Sequence, residues 1–74
     1  MPWNHRILRH TCNRGNEEIE WFAIHEVYYD DEGKPDMCTL DPAYPYGETT
    51  EELEKDMEYF SQAFKAPVLD FADF

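Results

Sequence analysis

Residues 19–29, IEWFAIHEVYY, constrain the fold of this chain more than any other segment. They are rich in β-branched and aromatic residues and contain neither Gly nor Pro, which predicts an extended strand. Side chains alternate across a strand, so Ile19, Trp21, Ala23, His25, Val27 and Tyr29 share one face, while Glu20, Phe22, Ile24, Glu26 and Tyr28 share the other. Large apolar groups stand on both faces. The strand therefore belongs inside a sheet, and something must cover each side of it.

The flanking sequence supplies the rest of the sheet. Residues 3–10 alternate, with Trp3, His5 and Ile7 on one side and Asn4, Arg6 and Leu8 on the other, and predict a first strand. Asn13-Arg14-Gly15-Asn16 carries turn chemistry. Asp30-Asp31-Glu32-Gly33-Lys34 reads as a second hairpin turn with Gly33 in the left-handed position. A shorter third strand is expected over residues 36–40. The run DPAYPYG at 41–47 holds two prolines, which remove ladder donors, and so predicts a loop from sheet to helix.

A helix is expected over residues 50–65. Thr49 and Glu52 fit a capping box, in which hydroxyl and carboxylate each satisfy an amide at the helix start. Leu53, Met57, Phe60 and Phe64 then recur at i, i+4, i+7 and i+11, widened by Ala63, as one stripe to lay on a sheet. Glu48, Glu51 and Glu52 suit the positive end of the helix dipole, Lys65 suits the negative end, and Glu51 with Lys55 is a favourable spacing. Pro67 ends the helix. The tail PVLDFADF at 67–74 is open to three readings: a short fourth strand, a packed extension or a free end.

The expected architecture is α+β: a three-stranded antiparallel sheet in the order βββα, with one C-terminal helix on one face and the tail as candidate fourth strand. A chain of 74 residues makes one domain, and a chain this short buries only about 60% of its unfolded surface. The 12 aromatic residues help to compensate, since each ring removes about 150–250 Å² from water.

Charge narrows the partners. Residues 1–14 hold Arg6, Arg9 and Arg14 with no acid, whereas residues 15–74 hold 17 acids against Lys34, Lys55 and Lys65. Such a surface repels phosphate backbones and anionic lipid, so nucleic acid and membrane are not expected partners, and basic proteins are favoured. No run approaches the roughly 18 apolar residues of a membrane span, and MPWNHRILRH lacks the apolar middle of a secretory signal. The chain is expected to be soluble and cytoplasmic, with Cys12 and Cys38 reduced and buried as small hydrophobes.

Chemistry-bearing residues are sparse. His5, His10, Cys12, His25 and Cys38 are ligand types for zinc, but no C-x-x-C or H-x-x-x-H spacing joins them, and parity puts His5 and His10 on opposite faces. A cluster of His10, Cys12, His25 and Cys38 would require the sheet to assemble it. A thiol site from either cysteine beside His25 and Glu26 would require the same. No Gly-rich phosphate loop exists. No catalytic residue, metal site or cofactor is therefore assigned, and an enzyme is not expected, a small metal or thiol enzyme being the remote alternative.

The segments IHEVYYDDEGKP, GETTEELEKDMEYF and KAPVLDFADF resemble a family of short, uncharacterised acidic bacterial proteins with an I-H-E-V-Y-Y-D strand, a G-E-T-x-E-E-L helix start and a P-V-L-D end. That resemblance covers nearly the whole chain and implies no activity. More loosely, Gly47, Thr49, Glu51 and Glu52 resemble the helix start of the HicB-like antitoxin domain, which implies a βββα core.

One helix covers one sheet face. Either Trp21 and Val27, or Phe22, Ile24 and Tyr28, are then left for a second cover: a symmetric dimer, the tail, a partner, or the loop bearing Tyr44 and Tyr46. The expectation is a small protein-interaction module, self-associating as a homodimer, with Trp21, Phe22, Ile24 and Tyr28 as its interaction surface. The alternative is an acidic antitoxin or inhibitor of a basic, nucleic-acid-handling protein, acting through an electrostatic face at Glu51, Glu54 and Glu58.

Overall fold

In the computed structural model, which describes residues 2–74, strand β1 (Trp3–Arg14) and strand β2 (Glu17–Tyr29) form one long antiparallel hairpin. Both run further than turn composition suggests. Only Gly15 and Asn16 form the connection, and Gly15 sits at φ +61° with Asn16 at negative φ, so a tight turn follows the twist of the strands and the ladder continues down to Arg14 and Glu17. Asn13 and Arg14 are ladder residues rather than turn residues.

The second turn forms as expected around Asp30. One carboxylate oxygen of Asp30 accepts from the amides of Glu32 and Lys34, both at 2.9 Å, and Gly33 takes φ +79°. Strand β3 (Pro35–Cys38) then pairs antiparallel with β2, with an irregularity at Tyr28 and Tyr29. The chain next leaves the regular ladder but stays on the edge of β2 through Thr39 N to Glu26 O and Ala43 N to Ile24 O.

Helix α1 (Thr50–Ser61) starts at Thr49, whose hydroxyl accepts from Glu52 N. The Glu52 carboxylate reaches back to the amide of Glu48, one residue earlier than the usual capping box. The final turn tightens into a 3-10 segment, Gln62–Lys65, so the regular helix is shorter than the apolar spacing predicts.

Strand β4 (Leu69–Asp70) pairs parallel with β1 at Leu8 and Arg9, giving the order β3-β2-β1-β4. The fold is thus α+β, its sheet an antiparallel three-stranded body with a parallel edge. Two arginines of β1 hold the tail: Arg6 Nη2 donates to the Pro67 carbonyl and Arg9 Nη1 to Asp70, both at 2.7 Å. Within the tail, Ala72 N donates to Asp70 at 3.0 Å and starts a 3-10 turn, Phe71–Asp73.

The two faces are therefore covered unequally. The tail brings Phe71 over the face of β1 and β2 that carries Leu8, His25 and Val27, all three fully buried. The helix lies across the opposite face, where Phe60 stacks on His5 at 4.1 Å and Ala63 is buried. The cysteines correct the expectation of two buried thiols: Cys12 is exposed on the outer hairpin, and Cys38, opposite Val27, is half-buried.

Candidate functional site

The helix is seated at one end only. Phe60 and Ala63 are held against the sheet, whereas Leu53, Met57 and Phe64, from the same apolar stripe, stay substantially exposed. Between helix and sheet this leaves an open groove of about 640 Å³. Ile7 and the β2 residues Phe22, Ala23 and Ile24 form its floor. Met57, Phe60, Ser61 and Phe64 form one wall, and Pro42 to Pro45 of the loop form the other. None of these residues is charged, in a chain that is 31% charged.

The walls are fixed by backbone contacts. Ala43 N donates to Ile24 O at 2.8 Å, and Tyr46 N donates to the Asp56 carboxylate at 2.8 Å, tying the loop to β2 at one end and to α1 at the other. The loop therefore flanks the groove without roofing it: Tyr44 and Tyr46 both point into solvent.

The four expected interaction residues do not form one patch. Phe22 and Ile24 are in the groove floor. Trp21 lies on the opposite face, its ring stacked on His10 at 5.2 Å. Tyr28 shares the face of Phe22 and Ile24 but sits at the other end of β2, across from Trp3 and Met37. Its hydroxyl donates to Glu26 at 2.8 Å, and that bond to a carboxylate, with burial second, pushes the phenol pKa up. Glu51, Glu54 and Glu58 are all exposed on α1, and none joins an ion pair among the described residues; the favourable Glu51–Lys55 spacing does not close.

Met57, Phe64 and Tyr44 are the groove residues that sequence patterning assigned elsewhere, the first two to core and the third to a cover. Period alone does not tell how closely a helix approaches its sheet. The usable signal is the number of large apolar side chains, which exceeds what so short a chain can enclose.

A second cluster lies under the tail. His10 Nε2 and His25 Nε2 are 2.8 Å apart, and His25 Nδ1 is 2.9 Å from the Thr39 carbonyl. A carbonyl only accepts, so Nδ1 of His25 carries hydrogen and its Nε2 receives the His10 N–H. Burial pushes the His25 pKa down and keeps that ring neutral. Phe71 stacks on His10 at 4.5 Å and lies 5.6 Å from His25. His5 is on the other face, and among the described residues no group of three or more His, Cys, Asp or Glu could hold a metal ion. Burial also raises the Cys38 pKa, which disfavours its thiolate. With His25 sealed from solvent, this pair fastens sheet to tail.

No helix among the described residues is long and apolar enough to cross a membrane. The chain matches no protein-family model, no curated protein and no solved structure, so the site is read from its own chemistry.

Proposed function

We propose that this protein is a small, non-enzymatic protein-interaction module whose working surface is the groove between α1 and the sheet. The observation that carries this reading is an uncharged trough with aromatic rims, lying open on a strongly acidic chain. Apolar patches of this kind mark sites where another protein packs, and exposed Phe, Tyr and Met are the residues enriched at interface centres. Its open shape suits a protein surface better than a small molecule, which needs enclosure and a few converging polar groups.

A carboxylate placed in the floor by Phe22→Glu should abolish complex formation while leaving the far-UV circular dichroism unchanged. A complex of undiminished affinity in that variant would remove the groove from the account.

The exposed row Glu51, Glu54 and Glu58 supports a second reading, an acidic antitoxin or inhibitor that neutralises a basic, nucleic-acid-handling protein. Reversing these three charges should then weaken binding, and the complex should loosen as salt rises. A groove-mediated complex responds to salt in the opposite sense or not at all.

A further inference from the structure

We propose that the occupant of the groove is a second copy of this chain: two protomers pack groove to groove about a two-fold axis, each lodging its Phe64 ring against Phe22 and Ile24 of the other. This rests on the reading of the groove as a protein-docking surface and adds the identity of the partner.

The chain carries more surface than its size requires. The chain exposes 5817 Å², whereas a folded chain of 8.9 kDa ordinarily exposes about 4,800 Å². The excess, about 1,000 Å², belongs to the chain as a whole, the solvated outer half of the β1–β2 hairpin included, and it leaves room for the ~800 Å² each partner contributes to a standard interface. The radius of gyration, 14.1 Å against about 11 Å for a compact chain of this length, reflects that long hairpin.

The patch is also complementary to itself. An isologous contact needs projections and a depression on one patch, and both are present: Phe64 is 73% exposed and Tyr44 75%, beside a trough floored by Ile24 and the half-exposed Phe22. These residues are held at the backbone: Phe64 follows the fully buried Ala63, Phe22 stands on a strand, and Tyr44 is next to the Ala43–Ile24 hydrogen bond, so little backbone freedom is lost on docking.

Charge favours the same partner. The groove offers no carboxylate to a Lys or Arg, so a basic partner gains nothing there that the acidic helix face does not already give it. A second uncharged groove matches it without desolvating a charge. The cost is long-range repulsion between two chains of net charge -11, which salt screens. Salt should therefore tighten the pair.

Sedimentation equilibrium of the full chain at 0.05 and 0.5 M NaCl tests this. The expected result is a monomer–dimer equilibrium whose Kd falls about tenfold at the higher salt. Phe64→Glu and Phe22→Glu should each weaken it at least about a hundredfold with unchanged circular dichroism, while Tyr59→Glu, on the helix but outside the groove, should dimerise like the parent. Dimers that persist in both groove variants overturn the proposal, because the contact then lies elsewhere on the chain. A strict monomer overturns it too, and in either case 8-anilinonaphthalene-1-sulfonate separates the two ideas. Fluorescence enhancement lost in Phe22→Glu leaves an open groove for a different protein, and no enhancement at all removes the docking surface as well.

Discussion

Phe60 and Phe64 lie one helical turn apart on the same apolar stripe, yet the structure gives them opposite duties, and truncating each to alanine separates those duties. Phe60 is 6% exposed and stacks on His5, so nearly its whole ring leaves water on folding. Burial of about 150–200 Å² at about 25 cal/mol per Å² corresponds to roughly 4–5 kcal/mol. Phe-to-Ala changes in cores cost about 3–5 kcal/mol. A 74-residue domain has about 4–11 kcal/mol in total, so Phe60→Ala should lose roughly a quarter or more of its stability, and all of it at the lower end of that range. Phe64, 73% exposed, should cost the monomer no more than about 0.5 kcal/mol. The assay is urea unfolding across a dilution series, followed by tryptophan fluorescence, because Trp3 meets His5 edge-on beside Phe60. The lowest concentration isolates the monomer from any effect of association. If Phe64→Ala destabilises the dilute protein as much as Phe60→Ala does, Phe64 belongs to the core and the groove is not an open surface.

Three further outcomes follow from the same geometry. The buried neutral His25 has a lowered pKa, while the unfolded chain takes up that proton near pH 6.5, so stability should fall as pH drops below about 6.5 and level off beneath the folded-state value; His25→Gln should flatten the urea midpoint between pH 5.5 and 8, and an unchanged slope would contradict this. Iodoacetamide at pH 8 should modify Cys12 well before Cys38, since one thiol is exposed and the other is half-buried with a raised pKa; peptide mass mapping showing equal rates would count against the placement of β3. Gly47→Ala should cost about 1–3 kcal/mol in thermal unfolding, because a Cβ there would run into the backbone of Glu52 and Leu53; a neutral substitution would mean that the loop does not pass so close to the helix.

Local signals in this sequence proved legible where they depend on period and on turn chemistry. The two faces of β2, the Asp30–Gly33 turn, the loop at 41–47 and the Thr49 cap all follow from residue type and spacing. Three features were not legible because they depend on distance between segments. The two-residue turn at Gly15 and Asn16 lengthened β1, since composition marks a turn without counting its residues. Of the three readings open for the tail the short fourth strand is the one it takes, and its parallel pairing could not be read from spacing, because it depends on Arg6 and Arg9, remote in sequence, reaching Pro67 and Asp70. That tail covers the Leu8, His25 and Val27 face, so the chain itself supplies the second cover there and the open surface falls on the helix side. Alternation along β2 already puts Trp21 and Phe22 on opposite faces, and with the tail on one of them only Phe22 reaches the groove.

The most direct test of the central claim is an isotope-filtered nuclear Overhauser experiment on an equal mixture of carbon-13-labelled and unlabelled protein in 0.5 M NaCl. Transfer between protomers from the Met57 methyl and Ile24 side chain of one copy to the Phe22 and Phe64 rings of the other is the predicted result. Transfer involving Val27, Phe71 or Trp21 instead, or none at concentrations where the sedimentation mass is that of a dimer, would contradict it.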